Sequence, residues 1–264
     1  LISLIYAIVL YENIKRPLFL RKMDVIFYRL DGIPRKFGVM QIRNRTVLSD
    51  EESIRRGIRR IVGIDKRVSL NLKEEQRNVK ILEKYHYKKE DKVIMGVGLY
   101  LKRKGILDFV ELAKRCPEYQ FIWFGYLDPK LVPQEIKQAL NTKLENLIFA
   151  GYVEQEFLRK AYSGVDLYLF PTLEETEGIP ILESLAAKTP TLVRDIPVFA
   201  EFIAGKEVYK AKTITEFETK IHQILNDRLP SLAESGYQKA IQKDTKIVGK
   251  QLIEVYQNLM KEQK

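Results

Sequence analysis

Val93-Ile-Met-Gly-Val-Gly98-Leu-Tyr-Leu-Lys102-Arg103-Lys104-Gly105, followed by Ile-Leu-Asp-Phe-Val-Glu-Leu-Ala113, changes its hydrophobic period part way along. The first six residues form a short continuous apolar run, as in a strand buried on both faces. From Ile106 the apolar residues recur three and four apart, as on one face of a helix. The same alternation continues downstream. Strands are predicted at Tyr119 to Phe124, Asn146 to Phe149, Asp166 to Phe170, Thr191 to Val193 and Glu207 to Tyr209. Helices are predicted at Gln134 to Leu140, Glu154 to Tyr162, Pro180 to Ala187, Ile214 to Asn226, Pro230 to Gln242 and Thr245 to Lys261. Short apolar strands separated by helices imply right-handed crossovers, with helices on both faces of a parallel sheet. The fold class is therefore α/β, a doubly wound parallel sheet.

Upstream, Ser49-Asp-Glu-Glu52 is a capping-box pattern opening a helix predicted from Asp50 to Val62 and closed by Gly63. Ile64 to Leu72 reads as one more strand and Lys73 to Tyr85 as another helix. Residues 1–72 thus resemble the tail of a separate α/β unit, too short to be complete, and residues 73–264 a complete second domain. The chain opens on Leu1 in the middle of an apolar pattern, so the expectation is that something precedes it.

Composition bounds the rest. With 264 residues, 45% hydrophobic and 30% charged, the chain can bury a sizeable core, which excludes disordered and fibrous classes. Its one cysteine, Cys116, cannot pair within the chain, and a reducing, cytoplasmic compartment is the simplest expectation. The apolar run Leu1 to Leu10 is far short of the about 20 residues of a spanning helix. The net charge of +10 is unevenly placed: residues 1–92 carry 22 Lys+Arg against 12 Asp+Glu, and residues 93–264 carry 23 of each. A basic front half implies an anionic neighbour, either nucleic acid, acidic lipid or an acidic protein. The interleaved aromatics Phe19, Phe27, Tyr28 and Phe37, with no nucleic-acid motif beside them, favour an anionic membrane surface over nucleic acid. A solvated helix face is the plainer reading of Arg55, Arg56, Arg59 and Arg60.

In open parallel sheets, ligands sit beyond the carboxyl ends of the strands. The most informative loop follows the predicted strand Asp166 to Phe170: Pro171-Thr-Leu-Glu-Glu175-Thr-Glu-Gly178-Ile179-Pro180-Ile-Leu-Glu183. Gly178 permits close backbone approach, and Pro180 suits a first helical turn. The N–H groups of Ile179, Ile181 and Leu182 are then predicted to face an anion, with Glu175 on the loop and Glu183 on the first helical turn accepting hydroxyl hydrogen bonds. A second loop, Gly96-Val-Gly98 to Lys104-Gly105, offers Arg103 and Lys104 as phosphate-gripping cations. A third, Phe149-Ala-Gly151-Tyr152-Val153, opens the helix at Glu154; a tight turn needing glycine explains Gly151 as well as a binding role does.

The glutamate loop resembles the signature of glycosyltransferase family 4, whose usual form is Glu-Gly-Phe-Gly-Leu-Pro-x-x-Glu followed by Gly-Thr-Pro. Glu175, Gly178, Pro180, Glu183 and Thr189-Pro190 are kept, while Thr176, Glu177 and Lys188 depart from it. The resemblance covers about residues 44–264. It implies the GT-B architecture of two Rossmann-like domains and a retaining hexosyltransferase using a nucleotide sugar. Lys104 occupies the family's diphosphate-binding lysine position. The arginine position falls on Gly98 or Leu99, so Arg103 is expected to substitute. By the same resemblance, Glu175 holds sugar hydroxyls near the reacting carbon, Glu183 the ribose hydroxyls, and the Gly151-Tyr152-Val153 turn the nucleobase. No Asp-x-Asp occurs, and a UDP-hexose donor without a metal is expected.

Longer strings, among them Phe-Ile-Trp-Phe-Gly-Tyr and Leu-Val-Arg-Asp-Ile-Pro-Val, look like bacterial enzymes extending diacylglycerol glycolipids at the inner face of the cell membrane. That implies a glycolipid acceptor and a peripheral location, with polysaccharide or soluble acceptors, or a non-catalytic binding remnant, as alternatives. The last helix, about residues 245–261, is of the kind that packs back towards the first domain, and the chain alone is expected to turn over poorly. His86, His222 and Cys116 read as structural, Cys116 being expected to have no nearby histidine and to be inert.

Overall fold

The computed structural model describes residues 83–128, 130–244, 247–251 and 254, and the backbone of residues 35–37 and 42–44. The expectations for Asp50–Val62, Ile64–Leu72, most of Lys73–Tyr85 and most of Thr245–Lys261 lie outside the described residues. The chain divides into two compact units, Leu1–Lys66 with Lys243–Lys264, and Arg67–Gln242. In the first, β1 (Arg35–Phe37) pairs antiparallel with β2 (Ile42–Asn44), a hairpin the sequence reading did not include. Residues 247–251 and 254 are helical.

The second unit is a six-stranded sheet of β3 (Val93–Val97), β4 (Gln120–Phe124), β5 (Leu147–Gly151), β6 (Leu167–Phe170), β7 (Thr191–Arg194) and β8 (Tyr209–Ala211). All neighbouring strands pair in parallel. The helices are α1 (Ile106–Arg115), α2 (Gln134–Leu140), α3 (Gln155–Gly164), α4 (Ile179–Ala186), α5 (Ile214–Leu225) and α6 (Ala233–Ile241). Successive strand side chains point to opposite faces. Ile94, Phe121, Trp123, Leu167, Leu169 and Leu192 accordingly share one core with α1, α2 and α5. Val93, Met95, Ile122, Phe124, Phe170 and Val193 share the other with α3, α4 and α6. This two-sided burial is why the strands read as continuous apolar runs.

Strand order is β5-β4-β3-β6-β7-β8. The chain winds outwards from β3 in one direction, then returns to β6 and winds in the other. Their carboxyl ends mark the switch point, where the loops diverge and leave a crevice. Arg194, at the end of β7, fixes this edge from below. Its Nε donates to the Pro171 carbonyl at 3.1 Å, one Nη donates to the Lys212 carbonyl at 2.5 Å, and the other pairs with Asp108 of α1. Burial pushes the Asp108 carboxyl up, and the Arg194 charge opposes that.

The last strand is displaced from its predicted place. Glu207, expected within it, lies before it, with its carboxylate accepting from the Ile203 N–H at 2.5 Å across a turn in which Gly205 has φ 74°. A buried carboxylate needs such a donor, and a strand side chain facing the core has none.

Candidate active site

The loops after β3 and β6 are stitched together at the switch point. A 3-10 turn, Lys102–Lys104, ends on Gly105, whose N–H donates to the Lys102 carbonyl at 2.9 Å. The Arg103 carbonyl accepts from the Leu173 N–H at 2.7 Å and from the Thr172 hydroxyl at 2.9 Å. Gly105 has φ 75°, and a Cβ built there would lie 2.2 Å from the Pro171 carbonyl oxygen. Only glycine permits both the conformation and the contact. On the other side, the Gly98 N–H donates to the Phe124 carbonyl at 2.9 Å and its carbonyl accepts from Trp123 Nε1 at 2.9 Å. The Gly125 N–H then donates to the Gly151 carbonyl at 2.8 Å. The turns carrying Gly98, Gly125 and Gly151 therefore stand side by side, as the carboxyl ends of β3, β4 and β5 require.

This arrangement brings Lys104 and Glu175, 71 residues apart, into direct contact as an ion pair. Their side chains are 14% and 9% exposed, so the pair is largely desolvated. Lys104 Nζ also lies 5.7 Å from the centre of the Phe170 ring. The other Glu175 oxygen, Oε1, accepts from the Thr176 N–H at 3.0 Å, which orients the carboxylate. Lys102 pairs instead with Glu135 of α2 at 3.1 Å. Arg103 is exposed, and among the described residues its guanidinium has no ion pair.

Glu183 comes to the same region from α4. Tyr162, on α3, donates its hydroxyl to Glu183 Oε2 at 3.1 Å. Tyr168 of β6 lies fully buried, and burial raises its hydroxyl well above the usual tyrosine value, with the Glu183 and Glu175 charges adding to the effect. The charges of both acids thus act on one tyrosine. The sequence reading placed neither Tyr162 nor Tyr168 in the site. Tyr168 is masked by its strand run, though the polar tip of a core tyrosine always needs an outlet.

Two expectations for the helix start are corrected. α4 begins at Ile179, so Glu183 stands on its second turn. The Ile181 N–H is occupied, donating to the Gly178 carbonyl at 2.9 Å. The bond spans three residues, the tighter 3-10 pattern common at helix starts. Gly178 itself has φ 79°, and a Cβ there would lie 2.7 Å from the Phe199 ring. Pro180 sits within the first turn as expected.

At the third loop, Gly151 has φ 69° and a Cβ there would meet nothing within 4 Å. Tyr100, buried beside this turn, packs edge-on against Phe149. Tyr152 is 72% exposed and Val153 half-buried against the core. Leu99, Tyr126 and Leu173 are likewise exposed on these loops, giving the carboxyl edge an apolar rim.

Cys116 and His222 lie at the opposite, amino-terminal edge, and the sequence reading of Cys116 as having no histidine nearby is corrected. His222 Nε2 is 3.9 Å from Cys116 Sγ, and His222 Nδ1 is 3.3 Å from both the Tyr119 hydroxyl and a Glu118 oxygen. Burial still pushes the thiol up to about 12, with Glu118 and Glu218 adding to it. The folded thiol keeps its proton while an unfolded one ionises near 9.0, so this group withdraws stability as pH rises from about 9 to about 12. At pH 8 the native protein is expected to resist alkylation by iodoacetamide and to take up one equivalent only on unfolding, as mass spectrometry would register.

A doubly wound parallel sheet with a cation and two acids at its carboxyl edge defines an open-sheet class of α/β domain. Residues 78–243 match the family Glycosyl transferases group 1, and the chain belongs to that family. It is 37% identical over 204 residues to the processive diacylglycerol alpha-glucosyltransferase of Acholeplasma laidlawii, covering 76% of this chain and 61% of that protein. It is 33% identical over 118 residues to the alpha-galactosylglucosyldiacylglycerol synthase of Streptococcus pneumoniae, covering 43% of this chain and 31% of that one. The chain therefore spans at most about three fifths of these relatives' length. In fold it is similar to Anabaena HepE solved with UDP and glucose, with TM-score 0.61 at 16% identity over 68% of this chain and 52% of that one. The GT-B-type sheet expected for the second unit is what these structures share.

Proposed function

We propose that the chain carries the donor side of a retaining hexosyltransferase that takes a hexose from a UDP-sugar, without a metal, and passes it to a diacylglycerol-type glycolipid. The observation that carries the reading is the convergence of Lys104, Glu175 and Glu183 at the switch point, on the family's glutamate signature. Breaking the bond from the anomeric carbon to the diphosphate builds negative charge on the leaving oxygen, and a positioned cation in a desolvated site stabilises it most. Lys104 is that cation, and Arg103, on the same turn and open to solvent, meets the outer phosphate oxygens. Glu175 neutralises Lys104. A bound diphosphate competes for the ammonium, and the carboxylate turns to hydroxyls of the hexose. Glu183 takes the ribose hydroxyls, Gly98 and the start of α4 at Gly178, Ile179 and Pro180 line the diphosphate, and the Gly151-Tyr152-Val153 turn meets the base.

The acceptor is inferred from the relatives' names, which specify diacylglycerol glycolipids. The basic front half supports an anionic surface as the working location, cytoplasmic and at the inner face of the membrane, each cation there contributing about 1 kcal/mol. Among the described residues no helix is long and apolar enough to cross a membrane. Incubation of the intact protein with UDP-glucose or UDP-galactose and vesicles bearing glucosyldiacylglycerol is expected to give an α-linked product, with turnover unchanged by EDTA and lowered by salt. A β-linked product, loss of turnover in EDTA, or equal turnover with a water-soluble acceptor would refute the corresponding part.

A further inference from the structure

Tyr162 is 1% exposed, within the core cluster that also holds Tyr168, Ile181 and Leu185. A buried hydroxyl in such a place must find a partner, and a backbone carbonyl is the usual one. Here the partner is a carboxylate, Glu183 Oε2 at 3.1 Å. The backbone of the same tyrosine is held too: the Thr189 hydroxyl, just beyond the end of α4, donates to the Tyr162 carbonyl at 2.7 Å. Tyr162 of α3 is thus held at two points, one on Glu183 within α4 and one on Thr189 just past that helix's end. This also gives the Thr189-Pro190 element of the signature a physical task at some distance from any ligand.

Tyr168 completes the arrangement. Its ring lies 5.3 Å from that of Tyr162 and stacks 5.7 Å from Phe170, over which Lys104 reaches. Its hydroxyl, fully buried, lies near that of Tyr162 but makes no hydrogen bond of good geometry. By geometry the Tyr162 proton goes to Glu183 Oε2 at 3.1 Å. A glutamate has three side-chain torsions to lose on binding, and a charge-assisted bond from a rigid phenol removes that freedom in advance.

We propose that Tyr162 is a positioning residue, fixing the Glu183 carboxylate for the ribose hydroxyls of the donor, with Thr189 holding Tyr162 in turn. The inference rests on the assignment of Glu183 to the ribose, and its test separates the two. Binding of UDP and of 2′,3′-dideoxy-UDP to the intact protein is measured by calorimetry for the wild type, Tyr162→Phe, Thr189→Val, Glu183→Gln and the Tyr162→Phe/Glu183→Gln pair. Expected is a roughly tenfold loss of UDP affinity in Tyr162→Phe with dideoxy-UDP affinity unchanged, a smaller loss of the same kind in Thr189→Val, and no further loss of discrimination when Tyr162→Phe is added to Glu183→Gln. In turnover the loss falls on KM for the donor rather than on kcat. Equal loss for both nucleotides, or no loss, in Tyr162→Phe overturns the positioning role while Glu183→Gln still loses discrimination. Full discrimination in Glu183→Gln overturns the ribose assignment itself. Should Tyr162→Phe not fold, Thr189→Val decides the question by the same criterion.

Discussion

Replacing Lys104 with methionine is expected to lower kcat for sugar transfer by about 10²–10³-fold, the cost of removing one positioned stabiliser of a developing anion from a desolvated site. The same substitution acts on stability by a separate route. Glu175, whose side chain is only 9% exposed, is left without its cation. Breaking a buried pair from one side costs about 3 kcal/mol, because the remaining charge must stay desolvated or take up a proton. The double variant Lys104→Met/Glu175→Gln removes both charges and is expected to recover most of the melting temperature but none of the activity. Differential scanning calorimetry and steady-state kinetics on the same preparations separate the effects. If the double variant regains turnover, the lysine is a structural counter-ion and nothing more.

The second large effect is expected at Gly105, where an added methyl would lie 2.2 Å from the Pro171 carbonyl oxygen and 2.5 Å from its carbon. Both neighbours are backbone, so nothing flexible can yield. The positive φ adds a further penalty for any L side chain. Gly105→Ala should therefore lose about 3 kcal/mol, near the upper end for a single substitution, and lower the melting temperature by roughly 6–12 °C for a domain of this size. Because the displaced turn carries Arg103 and Lys104, activity should fall further than the unfolded fraction accounts for. Thermal unfolding that matches the wild type would show that the loops are not held together as described.

The sheet was legible because its strands are buried on both faces and bounded by Gly, Pro and charge, so that composition alone marks them. Gln134–Leu140 was placed to the residue, and the other boundaries shifted by up to about three residues, as where α6 starts at Ala233 rather than Pro230. The sequence proposes Lys104, Glu175 and Glu183 as candidates, and the fold brings them to one edge. Their partners were not legible. Lys104 with Glu175, Tyr162 with Glu183 and Cys116 with His222 are pairings across 71, 21 and 106 residues, set by strand order rather than by any local pattern.

Lys188 is a departure from the signature that adopts a conformation glycine favours. It stands where the family has glycine and keeps a left-handed φ of 56°. Its ammonium pairs with Glu234 at 3.1 Å and lies 4.9 Å from the Tyr237 ring, which offsets part of the strain.

Calorimetric titration of the intact protein with UDP-glucose, set beside the same titration of Lys104→Met, tests the central claim most directly. The account predicts saturable one-to-one binding that weakens at least tenfold in the variant. Heat that does not saturate with either, or an affinity that Lys104→Met leaves unchanged, would contradict it.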